Sequence, residues 1–579
     1  MNSSEPARKG FGRTEWLIIL VAIIGFAFDT YELLMLPLIA GPALAEILQV
    51  PPNNPLVTQW VGNMLWMTAL CGGVFGLLGG WLTDRFGRKK VLAASILLYS
   101  LSPVFAAFST TLPWFLFFRC TTFIGVCVEF VAAITWLAEL FPEKRTRELV
   151  LGYTQAFASV GGLLVTAANM LTVKYASILP GLALPEPFNP HASWRYTLLT
   201  GLLPAIPIAL LLPFVPESRA WLDRRNAGTL RRPNLAELFS PQLRRVTLVT
   251  AGLSACAYAA AFGALQLTPT RIVPGMPDLA EQRQALKPLR DEAADLNTQF
   301  NQVVPSFEKA AADVPGLKEL AGQRAKVRIA IRSTNRELGS LSTNDPGKGP
   351  LLAQRGSLTN QVAQLLAELN QLTNKLNQLT ASNPAAKKAV LDREKVLGQL
   401  GANREKQEPF DTAIKARGNN VQFYQEMGGL AGRIALALLI AASIPRRLLL
   451  RLFQAPGLIV VPLTYLYFFR NDPGLFQWGM ALCGFLTVAQ FSYFGEYLPK
   501  VFPLHLRATG SSFATNVGGR MLGTSAAFVT TNLVAPLFVG TTSTFEQVAI
   551  GAAAVGTAVV FLGFLLSFLL PEPKQNAVE

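Results

Sequence analysis

The chain has 579 residues, of which 51% are hydrophobic and only 15% are charged, and its formal net charge is +15. With a mean hydropathy of +0.34, this composition is too apolar and too poor in charge for an ordinary soluble protein. Lysine and arginine are scattered through short loops between apolar runs, whereas a nucleic-acid surface needs them clustered on one domain. The composition therefore predicts a membrane-embedded chain without a nucleic-acid partner.

Apolar runs of about 17 to 28 residues, long enough to cross a bilayer, fall into two sets of six. The first run carries Asp29 and Glu32 and is too long for a signal peptide, so it is expected to remain as span 1. In chain order the runs start near Trp16, Leu56, Val91, Trp114, Leu149, Tyr196, Thr247, Gly429, Pro456, Leu475, Thr509 and Val548. This pattern predicts an all-α integral membrane protein with twelve spans in two pseudo-symmetric halves.

The predicted domains follow from these runs. Residues 1–215 form the first six-helix half, and 216–246 form a basic cytoplasmic linker. Span 7 occupies 247–270, an insertion occupies 271–424, and spans 8 to 12 occupy 425–579.

The basic residues orient the chain, because lysine and arginine are retained on the cytoplasmic side of a membrane. Arg8, Lys9 and Arg13 precede span 1, and further basic residues follow spans 2, 4, 6, 8 and 10. The opposite loops are almost free of them outside the insertion. We therefore predict a multi-pass protein of the cytoplasmic (inner) membrane with both termini in the cytoplasm and the insertion periplasmic or extracellular.

Within the insertion, apolar residues recur in alternating steps of four and three, which is the pattern of a coiled coil. This seam consists of Leu358, Val362, Leu365, Leu369, Leu372, Leu376 and Leu379. A similar arm begins at Leu286 and is expected to end at Pro305, and the breakers at 344–350 are expected to reverse the chain. The pattern predicts an antiparallel helical hairpin or small bundle, acting either as a spacer or as a docking element for a protein partner or a second copy.

Ionisable residues inside the spans are the candidate functional residues, since a charge at the bilayer centre costs about 2.5 to 3.5 kcal/mol on insertion scales. Asp29 and Glu32 lie three residues apart, on one helical face, and could line one cavity. Asp29 is proposed as a proton acceptor and Glu32 as its helper or a substrate contact. The remaining candidates are Arg119, Glu129, Arg433 and Arg520. For these residues and for Asp29, the alternative is an interhelical ion pair that only locks the helices together.

No chemistry of an enzyme is encoded elsewhere. The five cysteines lie in apolar runs, where they pack as small apolar residues, and only two histidines are present. The sequence has no nucleophile–base constellation, phosphate loop or metal-ligand spacing. We predict a protein that is not an enzyme and that holds no metal or cofactor.

A charged turn follows span 2, where glycines allow close approach of the chain and a carboxylate faces several cations. Its residues are Gly80, Asp84, Arg85, Gly87, Arg88, Lys89 and Lys90. The segment resembles the hallmark motif of the major facilitator superfamily, Gly-x-x-x-Asp-Arg-x-Gly-Arg-Arg/Lys. An ordinary positive-inside loop would account for the cations but not for the Gly-Asp-Gly spacing.

Further segments resemble the branch of that superfamily containing sugar porters and metabolite–proton symporters. They include Glu139-Leu140-Phe141-Pro142, the segment from Pro216 through Glu217 to Leu222, the segment from Phe502 through Arg507 to Gly510, and Gly518 to Gly523. Lys500 stands where the family usually has glutamate, and the Gly-Pro pair of drug–proton antiporters is missing from span 5.

The resemblance implies a gating motif that includes Glu139, Glu217 and Arg507 besides the turn after span 2. It implies secondary transport of a small polar metabolite, an organic anion or a sugar, by alternating access and with protons as the coupled partner. Within the same fold the alternatives are uniport and antiport. A different alternative is a non-transporting receptor or scaffold acting through residues 271–424.

Overall fold

The computed structural model describes residues 12–571 except 53, 142–145, 147–149, 151–153, 155–156, 204, 228–234, 341–348, 442–443, 503–505 and 539–542. These described residues form helices and no strand. The α-helices are α1 (Arg13–Ile47), α2 (Pro55–Phe86), α3 (Arg88–Ala107), α4 (Leu112–Leu140), α5 (Ala158–Tyr175), α6 (Ser193–Leu199), α7 (Ala205–Leu211), α8 (Arg219–Asn226), α9 (Arg244–Gly263), α10 (Ala280–Asp313), α11 (Leu317–Ser340), α12 (Gly349–Leu379), α13 (Pro384–Ala441), α14 (Arg446–Pro462), α15 (Phe469–Asn471), α16 (Pro473–Val501), α17 (Arg507–Ser512), α18 (Ala526–Phe528) and α19 (Thr544–Ser567).

Shorter turns extend several of these helices. π-Helical turns occupy Thr268–Ile272, Leu463–Phe468, Phe513–Gly523 and Val529–Val534. 3-10 turns occupy Thr200–Leu202, Leu212–Phe214, Leu235–Phe239, Leu265–Leu267, Val273–Gly275, Pro277–Leu279 and Ala535–Phe538.

Nine helical segments of the described chain are long and apolar enough to cross a membrane. They are Arg13–Ile47, Pro55–Gly79, Arg88–Ala107, Leu112–Ile134, Arg244–Gly275, Arg446–Asn471, Pro473–Gly495, Thr509–Phe538 and Thr544–Ser567. They coincide with nine of the predicted runs and confirm an all-helical membrane fold. The other three runs fall on α5, on α6 with α7, and on the end of α13, so the count of twelve spans remains a prediction.

The apolar core is shared at one end of the molecule and divided at the other. Near the insertion, one buried cluster contains Met35, Phe115 and Trp194 from the first half together with Tyr465 and Phe476 from the second. At the opposite end each half has its own cluster, one around Trp136 and the other around Tyr493. The two halves are therefore joined by apolar packing chiefly on the side of the insertion.

Further contacts between the halves include two helical interfaces. Helix α2 packs against the Phe513–Gly523 turn, and α5 packs against α13. These interfaces place polar side chains of the first half directly against those of the second, and they frame the site described below.

The insertion contains four helices, of which α10 packs against α13 and α11 packs against α12. The prediction that Pro305 ends the first arm is wrong, because α10 continues through both Pro288 and Pro305. Each proline removes one backbone hydrogen-bond donor. The apolar face nevertheless continues beyond Pro305 with buried Phe307 and Ala310, and their packing stabilises the helix there.

The predicted seam lies on α12 and mostly faces inward. Leu358, Leu372 and Leu376 are buried, whereas Leu379 is exposed. The chain reversal predicted at 344–350 falls largely outside the described residues. The coiled coil as such remains a prediction, since the described helices form two packed pairs.

Helix α13 continues from the polar insertion into the apolar run near Gly429 without a break over 58 residues. The predicted boundary at residues 424 and 425 is therefore not marked by a break in the helix, because the polar face gives way to apolar residues within one continuous helix.

Candidate functional site

A buried ion pair joins the two halves of the molecule. Arg520 Nη2 lies 2.9 Å from Asp29 Oδ2 and 3.3 Å from Oδ1, so α1 is bonded to the Phe513–Gly523 turn. Arg520 also donates to the carbonyl oxygen of Val126 at 3.3 Å and lies over the ring of Phe130 at 4.8 Å. Both charged side chains are almost fully buried. The structure thus brings together two of the predicted site residues.

Glu129 is a second carboxylate at the same guanidinium. It is fully buried, it interacts electrostatically with Asp29 and Arg520, and neither of its carboxylate oxygens has a hydrogen-bond partner in the described residues. A Cβ atom at Gly25 would lie 2.7 Å from Glu129 Oε1, so a larger residue there would displace the Glu129 carboxylate. The cluster holds two carboxylates and one guanidinium, and it becomes neutral only when one carboxylate carries a proton.

Glu32 lies in a different environment from Asp29. Its carboxylate is fully buried against Gly201 and interacts electrostatically with Arg119, whose Nη2 donates to the Glu32 carbonyl at 3.3 Å. Neither Glu32 carboxylate oxygen has a hydrogen-bond partner among the described residues. The expected single cavity lined by both acids is therefore replaced by two acid–base groups, one between the halves and one inside the first half.

Arg433 faces a carboxylate that sequence reasoning missed. It interacts electrostatically with Glu426, which accepts from Gln422 Nε2 at 2.7 Å and Gln425 Nε2 at 3.2 Å. Glu426 lies against Gly162 of α5, at the interface between the halves. Glu426 precedes the apolar run predicted near Gly429. A sequence signal for Glu426 was available, because Gln422, Gln425 and Glu426 are spaced three and four residues apart and so lie on one helical face.

Four of the predicted gating residues, Arg88, Lys89, Glu139 and Glu217, meet at the end of α2 in one hydrogen-bonded cluster. Arg88 binds Glu139 through Nε at 3.0 Å and Nη2 at 2.8 Å. Glu217 accepts from the backbone amides of Arg88 at 3.2 Å, Lys89 at 3.1 Å and Ser218 at 3.0 Å. Ser218 Oγ completes the cluster by donating to Glu139 Oε2 at 2.5 Å.

Gly87 makes this turn possible. Its φ of +97° is a conformation that residues with a side chain rarely adopt, and a Cβ there would lie 2.6 Å from Glu217 Oε2. Lys89 Nζ donates to the Pro213 carbonyl at 3.3 Å, and Arg85 lies over the ring of Phe86. The side chains of Asp84 and Arg507 lie outside the described residues, and of Gly80 only the helical backbone is described.

Polar contacts also join the halves on the side of the insertion. Asn169 of α5 donates to Asn419 of α13 at 2.6 Å. Asn532 donates to Asn63 of α2 at 2.7 Å. Among the described residues no group of three or more histidine, cysteine or acidic side chains could hold a metal ion.

These features define a polytopic helical membrane protein in which buried acid–base groups lie inside and between two helical halves. Residues 16–285 match the family model described as Major Facilitator Superfamily. The fold is similar to that in the crystal structure of a D-xylose-proton symporter, with a TM-score of 0.53, 14% identity and coverage of 97% of this chain and 99% of that one. The resemblance drawn from the sequence motifs is thereby confirmed.

Two curated relatives add to this assignment. The chain is 27% identical over 215 residues to the niacin transporter NiaP of Acinetobacter baylyi, covering 37% of this chain and 43% of the relative. It is 29% identical over 225 residues to the cis,cis-muconate transport protein of the same organism, covering 39% and 49%. The chain thus matches less than half the length of these relatives. Both are named as transport proteins, in agreement with the prediction that this chain is not an enzyme.

Proposed function

We propose that the chain is a secondary transporter that moves a small polar metabolite by alternating access and couples this movement to protons. The observation that carries the proposal is the charge imbalance around Arg520, which bonds the two halves through Asp29 while Glu129 stands beside it. A proton on one of the two acids neutralises the cluster, and substrate arrival can change which acid holds it. Proton binding is thus coupled to a contact between the halves.

An organic carboxylate is the favoured substrate class. The matched relatives are named for niacin and cis,cis-muconate, both of which are carboxylates at neutral pH. Arginine is suited to carboxylates because its planar guanidinium donates two parallel hydrogen bonds. A sugar, as named for the xylose symporter, is the alternative substrate class that the sequence motifs imply.

The distribution of the core supports a conformation closed on the side of the insertion. In our proposal twelve spans form two halves, from residues 1–215 and from spans 7 to 12, that rock about the Asp29–Arg520 pair. The Arg88–Glu139–Glu217 cluster fixes the cytoplasmic ends of α2, α3 and α4 during that movement. The proposed location is the cytoplasmic membrane, with both termini inside and the insertion outside.

Uptake into proteoliposomes tests the proposal. Purified protein is reconstituted, and accumulation of labelled nicotinate, cis,cis-muconate and xylose is measured with and without an inwardly directed proton gradient. We expect at least one carboxylate to accumulate above its external concentration only when the gradient is present. Gradient-independent equilibration would instead identify a uniporter, and absence of uptake of all three compounds would contradict the proposal for these substrates.

A further inference from the structure

Arg271 occupies a position between the halves that the proposed mechanism does not use. It lies in the Thr268–Ile272 turn beyond α9, on the side of the insertion, and it is only 1% exposed. Its Nη1 donates to the carbonyl oxygen of Pro52 at 2.8 Å, and its Nη2 donates to the hydroxyl of Thr58. Its guanidinium lies 5.3 Å from the ring centroid of Phe545. A residue of the second half thus holds the start of α2 through neutral oxygens alone.

No carboxylate of the described residues balances this buried charge. Six other arginines of the described residues are similarly buried, and each faces an acid: Arg88 with Glu139, Arg119 with Glu32, Arg195 with Glu46, Arg324 with Glu394, Arg433 with Glu426 and Arg520 with Asp29. Arg271 pairs with no acid among the described residues, and its Nε has no hydrogen-bond partner there. A buried charge without a counter-charge is costly and is a candidate for binding an ion of opposite sign.

We propose that Arg271 captures the carboxylate of an anionic substrate on the side of the insertion. This inference rests on the proposed function and assigns the residue that selects the substrate's charge. When the halves separate on that side, Pro52 and Thr58 move away with the first half, and the guanidinium is left with two free donors. A carboxylate takes both as a bidentate pair. When that side closes again, the two neutral oxygens replace the carboxylate and release it towards the Asp29–Arg520 pair.

The neutral partners are consistent with such an exchange. A carboxylate in place of Thr58 would bind the guanidinium permanently and compete with the substrate. A carbonyl and a hydroxyl satisfy the donors in the closed state without cancelling the charge, so an incoming carboxylate binds more strongly than the partners it displaces.

Ligand binding by the purified full-length protein tests the inference independently of transport. The probes are nicotinate, benzoate and cis,cis-muconate, each compared with its uncharged amide, and affinity is read from ligand-dependent thermal stabilisation in detergent. The variants are Arg271→Gln, which removes the charge, and Arg271→Lys, which keeps the charge but lacks the two parallel donors of the guanidinium. Thr58→Val removes only the closed-state partner. Arg283→Gln is the matched control, because Arg283 also donates to two carbonyl oxygens, those of Pro274 and Met276.

We expect the wild-type protein to prefer at least one carboxylate over its amide. Arg271→Gln should weaken carboxylate binding at least tenfold and leave amide binding unchanged, and Arg271→Lys should retain part of the preference. Thr58→Val should not weaken carboxylate binding, because it removes only a partner that competes for the guanidinium, and Arg283→Gln should keep the preference in full. The inference is overturned if Thr58→Val reproduces the Arg271→Gln defect, because Arg271 would then only hold the two halves together. It is also overturned if the wild type shows no carboxylate preference. If the wild type prefers carboxylates in the binding assay but shows no uptake in liposomes, that result would count against the transport proposal and not against the role of Arg271.

Discussion

At the scale of single residues, the acids around Arg520 differ in what they contact. Asp29 bonds Arg520 directly, whereas the oxygens of Glu129 have no hydrogen-bond partner in the described residues. An acid without fixed donors can gain and lose a proton with little rearrangement, which suits the coupling step. Asp29 is then the contact between the halves, and Glu129 is the side chain on which we place the transported proton.

Replacing Glu129 with glutamine should therefore separate substrate movement from proton movement. We expect Glu129→Gln to lose gradient-driven accumulation while it still exchanges internal for external substrate at a rate near that of the wild type, because the neutral amide mimics the protonated acid. Exchange and gradient-driven uptake are measured in the same proteoliposomes. Exposed Glu319 serves as the control through Glu319→Gln, which should retain both activities. Intact accumulation in Glu129→Gln would show that another acid carries the transported proton.

Gly87 allows a second prediction at this scale, with Gly316 as its matched control. Both have positive φ, +97° and +83°, but a Cβ at Gly87 meets Glu217 whereas one at Gly316 meets nothing within 4 Å. Backbone strain of about 1–3 kcal/mol applies to both alanine variants, and the steric clash applies only to Gly87→Ala. We expect Gly87→Ala to lower the melting temperature and the transport rate, and Gly316→Ala to keep transport. Equal loss of transport in the two variants would contradict the claim that a clash with Glu217 causes the defect of Gly87→Ala.

Sequence reasoning found the buried charges because ionisable residues stand out within apolar runs, but it could not assign their partners. Asp29 and Glu32 share a helical face in the sequence, yet α1 is packed on several sides, so each acid meets a different neighbour. Arg271 and Glu426 were missed as site residues because each lies at the edge of a span, where a charge is ordinarily solvated.

At the scale of elements, the insertion contacts the first half through a loop. Arg393 of α13 lies 2.5 Å from Glu186, and Arg404 donates to the carbonyl of Pro187. Burial raises the pKa of Glu186 above its ordinary value, with Arg393 and Arg404 opposing the shift and Glu394 adding to it. The loop between α5 and α6 therefore has a carboxylate that binds protons more readily in the folded protein than in the unfolded chain.

The sign of the resulting pH dependence is fixed by this shift. Stability contributed by Glu186 is fully present below the unfolded pKa, about 4.3, and is lost as the pH rises through the higher folded value. We expect the wild-type melting temperature to fall across this window more steeply than that of Glu186→Gln. Glu308→Gln is the control, because Glu308 is exposed and pairs with exposed Lys318. A steeper fall in Glu186→Gln than in the wild type would reverse the assigned direction.

The element boundaries were less predictable than the elements themselves. Hydropathy located nine spans, since each apolar run must satisfy its backbone within one helix. It could not predict that α10 runs through Pro305 or that α13 continues without a break from the polar insertion into the apolar run near Gly429. Both depend on packing between α10 and α13, which are about a hundred residues apart in the sequence and have no local signature.

At the scale of the whole molecule, the insertion and the transport part can be tested separately. Asn403 donates to the carbonyl of Leu289 at 2.9 Å, so the two chains of the α10–α13 pair are adjacent there. Replacing residues 291–402 with a short turn should therefore leave the acid–base groups in place and retain transport. A deletion of the whole predicted insertion, residues 271–424, would also remove Arg271 and Asn419, which contact the first half.

Uptake and binding assays of the 291–402 deletion test whether transport needs the insertion. Retained substrate uptake would show that the insertion is dispensable for transport. Loss of uptake by a variant that is correctly folded, with nicotinate or benzoate binding intact, would instead assign the outer helices a part in the transport cycle.

The sequence predicts the overall architecture more completely than it predicts which side of the molecule is closed. Spans, orientation and the motif after span 2 predicted the superfamily fold, because the membrane allows few arrangements of apolar helices. The closed side could not be read from the sequence, since both halves carry apolar ends, and only the packing decides which ends share a core.

Substrate-driven proton movement is the most direct test of the central claim that substrate and proton cross together through the Asp29–Arg520–Glu129 cluster. Liposomes containing the purified protein and an internal pH dye are challenged with nicotinate and cis,cis-muconate, with wild-type protein compared with Asp29→Asn. Internal acidification on substrate addition in the wild type, abolished in Asp29→Asn, is the predicted result. Uptake of labelled substrate without acidification, or equal acidification in both proteins, would contradict it.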